Sequence, residues 1–248
     1  MNRRYLQHFA LFGKTGQYAI LDAKVLVIGV GGLGCSVLYN LVGAGVGEIA
    51  IVDFDRISES NLNRQFLFDN ASIHKLKVDA AQTRLKAFNP DCKIHRYPAR
   101  IQDCSEIISE YEIIVDCSDN FETRFYLNRL CHLLKKPLIS GAVIGYSGYV
   151  IVIKSFVSIE ASCYQCFCYE KPKQAIDHSC EGGGVIGAAV NVIGSIQSMK
   201  VIQEILRLHP EDSGTFIFCD VLLNKFRRAT ILKDPSCNVC GSGQFSKT

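Results

Sequence analysis

For the first 140 positions of this 248-residue chain, short apolar runs alternate with longer amphipathic segments. Val25–Ile28, Ile49–Val52, Ile113–Val115 and Pro137–Ile139 are brief and almost wholly apolar, as strands buried on both faces are. Segments of helical length separate them. One ends near Gly45-Val46-Gly47, one runs from Ile73 to Phe88 with apolar residues at helical spacing, and one runs from about Glu122 to Leu134. Lys93–Tyr97 reads as a further strand and Glu106–Glu110 as a short helix. Such alternation predicts an α/β fold with a doubly wound, Rossmann-like sheet, parallel in its N-terminal half. After Ser140 the texture changes. Ser147–Ile153 is strand-like with no crossover helix before it, and Phe216–Cys219 with Phe226–Leu232 reads as a hairpin, so the C-terminal half of the sheet is expected to be mixed. A glycine- and cysteine-rich loop, Cys163–Gly184, and an apolar helix from about Val185 to Leu208 lie between.

The first strand runs into Gly29-Val-Gly31-Gly32-Leu-Gly34, and the second ends on Asp53. In such a unit Gly29 makes the tight turn, Gly31 lets a phosphate approach, and Gly34 lets helix pack on strand. The helix start offers free N–H groups to an anion, and Asp53 stands where a ribose-binding acid belongs. The loop reads as a nucleotide site, against the alternative of a structural turn in an α/β sheet, and by itself admits NAD, FAD or ATP. Asn61, Arg64 and Gln65 follow in a polar loop, joined by Lys75 and Lys77. A solvated basic face accounts for the lysines but not for their grouping with Arg64 just after the nucleotide acid. Asp119 and Asn120 end the strand that carries Asp116. There a carboxylate holds Mg²⁺ against phosphates, or Asp119 caps the next helix. The chain thus reads as one domain, 1–248, with an aromatic-rich leader (1–23), a nucleotide-binding half (24–140) and a mixed-sheet half (141–248).

A net charge of +3, with 21% charged residues, gives no basis for nucleic acid or a membrane surface as partner. Met1–His8 lacks an apolar signal core, and the uncharged stretch from Gly182 to Met199 reads as a buried helix after a loop, so a cytoplasmic location is expected. Twelve cysteines in a chain of this kind do not imply disulfides. Cys35, Cys92, Cys117, Cys131 and Cys219 sit singly in apolar surroundings and read as core residues. Cys163-Tyr-Gln-Cys166 and Cys237-Asn-Val-Cys240 differ. Two C-x-x-C pairs are the pattern of a closed tetrathiolate, hence structural, zinc site, against the alternatives of a redox pair or four unrelated thiols. Cys168 is a spare thiol nearby. Cys180, in His178-Ser-Cys180-Glu, is either an exposed thiol or one placed for thiolate chemistry near a helix start.

Taken together, the glycine loop, Asp53-x-Asp55, Asn61-Leu-Asn-Arg64-Gln65, Lys77, Asp116-Cys-Ser-Asp119-Asn120 and the paired C-x-x-C motifs resemble the ubiquitin-activating superfamily, and most of all its MoeB/ThiF/HesA branch. The likeness runs from about Gly16 to Gly241. It implies a homodimeric adenylyltransferase that uses MgATP to activate the C-terminal glycine of a small ubiquitin-fold carrier ending in Gly-Gly, for sulfur transfer. A sulfurtransferase is a further partner. By this resemblance Gly31 and Gly32 approach the phosphates and Asp53 holds the ribose. Asn61, Arg64 and Lys77 stabilise departing pyrophosphate, Asp119 with Asn120 serves Mg²⁺, and Arg124 supports that site. Cys180 matches a loop cysteine that some members use covalently, and the zinc is structural. One departure stands out: Gln7 occupies the place where relatives carry an arginine that reaches across the dimer, so either Arg3 or Arg4 takes over or the trans arginine is absent. The rival readings are a non-catalytic partner subunit of this fold and an NAD-dependent oxidoreductase. The second leaves the grouping of Arg64, Lys77 and Asp119 unexplained.

Overall fold

The computed structural model describes residues 3–169, 184–209 and 212–241. Among these, eight strands form one sheet: β1 (Lys24–Ile28), β2 (Glu48–Val52), β3 (Lys93–Tyr97), β4 (Ile113–Asp116), β5 (Leu138–Ile144), β6 (Ser147–Ile153), β7 (Thr215–Asp220) and β8 (Lys225–Thr230). Their spatial order is β3-β2-β1-β4-β5-β6-β7-β8. The first five pair in parallel and the last three join antiparallel, so the sheet is mixed where the sequence texture changes. β1 is central in the parallel half, and Val25 to Ile28 are all buried. Each such aliphatic side chain contributes about 1.5–3 kcal/mol of hydrophobic stabilisation, which is why this run is almost wholly apolar.

Helices cover both faces. The helices are α1 (Leu6–Asp22), α2 (Gly32–Ala44), α3 (Lys77–Phe88), α4 (Phe121–Leu133), the single turn α5 (Tyr164–Phe167) and α6 (Gly187–Ile205). One core, on the face of Val25 and Val27, takes Leu38 and Leu41 from α2, Val78 and Leu85 from α3, and Val190 and Ile193 from α6. The other, on the face of Leu26 and Ile28, takes Leu127 and Cys131 from α4 together with Cys163, Tyr164 and Cys237. The five cysteines read as core residues are all buried. The apolar segment α6 packs on β5 and β6, and among the described residues no helix is long and apolar enough to cross a membrane.

Two boundaries differ from the periodicity. α3 begins at Lys77 rather than Ile73, because residues 73–76 are pulled back onto the preceding loop. His74 donates its N–H to the Ile57 carbonyl at 2.8 Å with φ of 69°, and Leu76 bridges to Arg56. β5 continues past Ile139 to Ile144 because it forms a hairpin with β6. The leader is helical, with a break at Phe12–Gly13 where Gly13 takes φ of 70°. It is fastened to its own body: Gln17 donates to the Ala44 carbonyl at 2.9 Å, and Asn89 donates to the Tyr5 hydroxyl at 3.0 Å.

Candidate functional site

At the carboxyl ends of β1 and β4, where the strand order changes direction, a cavity of about 720 Å³ opens. An open α/β sheet binds ligands at this kind of switch point. The glycine turn forms one wall. Gly29 has φ of 89°, and a Cβ there would stand 2.8 Å from the Cys117 carbonyl oxygen. A Cβ on Gly34 would come within 2.0 Å of the Gly29 carbonyl, whereas one on Gly31 would meet nothing within 4 Å. Gly29 and Gly34 are therefore fixed by backbone packing, while Gly31 keeps open the space in front of the α2 N-terminus. Asp53 fastens the turn: its two carboxylate oxygens accept the N–H groups of Val30 at 2.6 Å and Asp55 at 2.8 Å. Burial raises the Asp53 pKa, opposed by the nearby charge of Lys77. Each oxygen keeps a further lone pair for a ligand hydroxyl.

The polar loop supplies the next wall, and most of its groups are held in place by the loop itself. Asn61 accepts the Ser58 N–H at 3.1 Å. Arg64 donates to the Ser60 carbonyl at 2.9 Å and to the Asn63 side chain at 3.0 Å. Lys77 opens α3, the unfavourable end of a helix dipole for a cation. Asp55 offsets that with an ion pair of 2.7 Å, in which the lysine side chain is 8% exposed and the carboxylate 48%. Lys75 is exposed and does not line the cavity. Gln65 lines it, is buried, and its side-chain oxygen has no protein partner.

The floor lies between β4 and α4. Asn120, not Asp119, caps α4, accepting the Thr123 N–H at 2.9 Å, so Asp119 is exposed at the cavity without a capping duty. Below, fully buried Asp116 accepts from Ser118 N at 3.0 Å, Ser118 Oγ at 2.6 Å and Ser140 Oγ at 2.7 Å. Arg124 donates to the Ser118 carbonyl at 2.7 Å and to the Tyr149 hydroxyl at 3.0 Å. Burial works against the Arg124 charge and Asp116 works for it, with a pKa raised above the ordinary value. Gly31, Gly32, Asp53, Asn61, Arg64, Lys77, Asp119 and Asn120 thus all line one cavity. The sequence reading had no place for Tyr149, nor for Phe54 and Arg100, whose guanidinium lies 4.4 Å from the Phe54 ring centre on the same wall. Phe54 adjoins Asp53 in the sequence; Arg100 carries no local signal.

The second constellation lies beneath α4. The sulfurs of Cys163, Cys166, Cys237 and Cys240 all fall within 4.8 Å of one another. Cys163 and Cys237 are 3.6 Å apart and Cys166 and Cys240 3.4 Å, far beyond the ~2 Å of a disulfide. A tetrahedral ion with metal–sulfur bonds of ~2.3 Å needs sulfurs about 3.8 Å apart, so the set fits one soft cation. Three N–H donors already address the sulfurs: Asp234 N to Cys166 at 3.4 Å, Val239 N to Cys237 at 3.5 Å and Asn128 Nδ2 to Cys163 at 3.5 Å. Hydrogen bonds from Cys163 and Cys240 hold the Cys166 thiol well below its ordinary pKa. Cys168 stands outside this group of four. Cys180 and His178 lie outside the described residues.

Comparison with known proteins shows the family and the fold. The sequence profile of the ThiF family matches residues 2–239. The sulfur carrier protein adenylyltransferase of Thermus thermophilus is 36% identical over 233 residues, covering 92% of this chain and 86% of that protein. The molybdopterin-synthase adenylyltransferase of Salmonella typhimurium is 37% identical over 232 residues, covering 93% and 92%. A crystal structure of E. coli MccB superposes with a TM-score of 0.81 at 24% identity, over 97% of this chain and 73% of that one, a likeness of fold.

Proposed function

The chain belongs to the ThiF family of adenylyltransferases, and from that premise we propose that it activates a small ubiquitin-fold sulfur-carrier protein. In this reading AMP passes from MgATP to the carrier's C-terminal glycine carboxylate, giving an acyl-adenylate ready for sulfur. The observation that carries the reading is the convergence of the glycine turn, Asp53, Arg64, Lys77 and Asp119 on one cavity. No general base is required, because the attacking carboxylate is already a nucleophile. The demand is for positioning and for charge neutralisation at the α-phosphate. Gly31 and the α2 N-terminus admit the phosphates, and the lone pairs left on Asp53 take the ribose hydroxyls. Arg64 and Lys77 carry positive charge to departing pyrophosphate, with Lys77 released from Asp55 as it does so. Asp119 with Asn120 would hold Mg²⁺, which supplies charge neutralisation on the phosphates. Arg124 keeps the 118–120 turn in place.

The four cysteines would hold zinc as a structural ion, joining the C-terminal segment to the body. A homodimer is part of this proposal. The leader leaves Leu6, Leu11 and Tyr18 more than half exposed, surface that a second subunit would cover. Gln7 is exposed on the same helix, and Arg4 lies 5.8 Å from the Phe88 ring centre of its own protomer, which leaves Arg3 as the candidate for reaching a partner's phosphates.

The test is ATP–pyrophosphate exchange with and without a panel of Gly-Gly-ended carriers. Exchange that depends on one carrier is the expected result and names the partner. ATP binding without exchange on any carrier would favour a non-catalytic subunit, and NAD binding without ATP binding would overturn the reading altogether.

A further inference from the structure

Asn120, Arg124 and Asn128 stand four residues apart along α4, and side chains at that spacing share one face of a helix. Their partners belong to two different sites. Asn120 caps the helix at the cavity, and Arg124 holds the Ser118 carbonyl at 2.7 Å. One turn on, Asn128 donates to the Cys163 sulfur at 3.5 Å and accepts the N–H of Tyr164, the residue between the first two cysteines and next to Cys163, at 2.8 Å.

The loop then closes through two phenols. Tyr164 shares a hydrogen bond with Tyr149, hydroxyl to hydroxyl, at 3.1 Å, and Tyr149 accepts from Arg124 at 3.0 Å. Arg124, Tyr149, Tyr164 and Asn128 therefore form a ring of hydrogen bonds closed by one turn of α4. Arg124 is 6% exposed, Asn128 1% and Tyr164 1%. A polar group so placed has no water to turn to if its partner moves, so these three constrain their neighbours more tightly than on a surface, while Tyr149 is half-buried at the cavity wall.

We propose that this ring makes the four-cysteine centre a positioning device for the 118–120 turn, so that metal capture and MgATP binding favour each other. Tyr149 and Tyr164 are its positioning residues. The inference takes the identity of its two ligands from the proposed function and adds the coupling between them. Such coupling is reciprocal: if the metal holds the turn in its binding geometry, MgATP must hold the metal by the same factor.

The experiment uses the zinc-loaded full chain and two variants, Tyr164→Phe and Tyr149→Phe, each of which removes one hydroxyl and no sulfur. Calorimetry first measures MgATP binding to the wild type. The partition of zinc between the chain and a competing chelator is then measured at equilibrium with and without saturating MgATP. MgATP should shift that partition towards the chain by about fivefold or more in the wild type, the lower end of ordinary allosteric coupling. In both variants that ratio should fall towards one, with one zinc per chain at the start. Tyr149 lies outside the cysteine segments, so its variant carries the test if Tyr164→Phe loads metal poorly. Equal protection in wild type and variants, or none in the wild type, overturns the proposal, and a lowered melting temperature with the ratio intact marks the ring as packing alone. Failure of the wild type to bind MgATP at all is a different result and overturns the nucleotide reading itself.

Discussion

The nucleotide cavity and the four-cysteine centre flank the same helix, yet they are built on opposite plans. The cavity is assembled from turns that each follow a parallel strand, and several of its polar groups are already held by these turns. Asp53 is occupied by two backbone N–H groups, Asn61 by Ser58 and Arg64 by Ser60. Such a site holds its shape while empty. The cysteine centre brings together two segments separated by most of the mixed-sheet half, and its sulfurs face one another with N–H donors on three of them. In the proposed reading a cation would finish it. A substrate pocket would have to survive turnover, whereas a structural centre would be assembled once.

That contrast can be tested from both sides. The largest effect is expected at the cysteine centre. Cys237→Ala should release the metal and lower stability by several kcal/mol, since structural zinc contributes about 10–16 kcal/mol of apparent binding energy in zinc-finger peptides. Metal analysis with calorimetric melting reads both, and one metal per chain after this change would show that the site is wrongly placed. Next comes the glycine turn. Gly34→Ala puts a carbon where the Gly29 carbonyl stands and should cost on the order of 4 kcal/mol and abolish MgATP binding, with metal content preserved. Metal lost in proportion would mean that the two sites do not fold as separate units.

A smaller change follows at the floor. Asp119→Ala touches no cap and no buried bond, so it should leave the melting temperature within a degree or two while pyrophosphate exchange falls by about 100-fold or more. Exchange at the wild-type rate would remove Asp119 from the chemistry. The mildest test is pH. Asp212 is drawn below its ordinary value of 3.8: burial opposes the shift, and hydrogen bonds from Lys200 and Thr215 with the charges of Lys200 and Arg228 prevail. The native state then binds this proton less readily than the unfolded chain. The stability Asp212 lends is complete above the unfolded value and is lost as pH falls through the depressed native one. Melting curves between pH 5 and about pH 2 should show a loss that Asp212→Asn makes shallower.

Much of this was legible because the information is local. The β1–α2–β2 unit, with its glycines and terminal acid, is contained in thirty consecutive residues, and each C-x-x-C pair announces itself. The start of α3 was not legible, because Ile73 and Leu76 have helical spacing and only the backbone bonds that tie residues 74–77 to 55–57 bend that stretch away. The extension of β5 was hidden too. Gly141 and Ala142 look like loop residues until β6 pairs with them and Gln197 fills the space a Cβ at 141 would need. Tyr149 and Tyr164 carried no signal at all, since their meeting depends on β6 and α5 being brought beneath the same helix. The Asn120-Arg124-Asn128 stripe was the one available hint.

The order of the cysteines along the chain also has a consequence for biosynthesis. Cys163 and Cys166 follow six of the eight strands, while Cys237 and Cys240 follow all of them. Emerging from the ribosome, the chain carries half of the proposed metal site for the whole time that α6 and the last hairpin are being made. Domains tend to fold as they emerge, N-terminal parts first. The glycine turn and the walls after β2 and β4 can therefore take shape before the thiolate set is complete, whereas Val190 and Phe218 join the cavity later, and capture of the proposed ion would mark a molecule whose sheet has been fully translated.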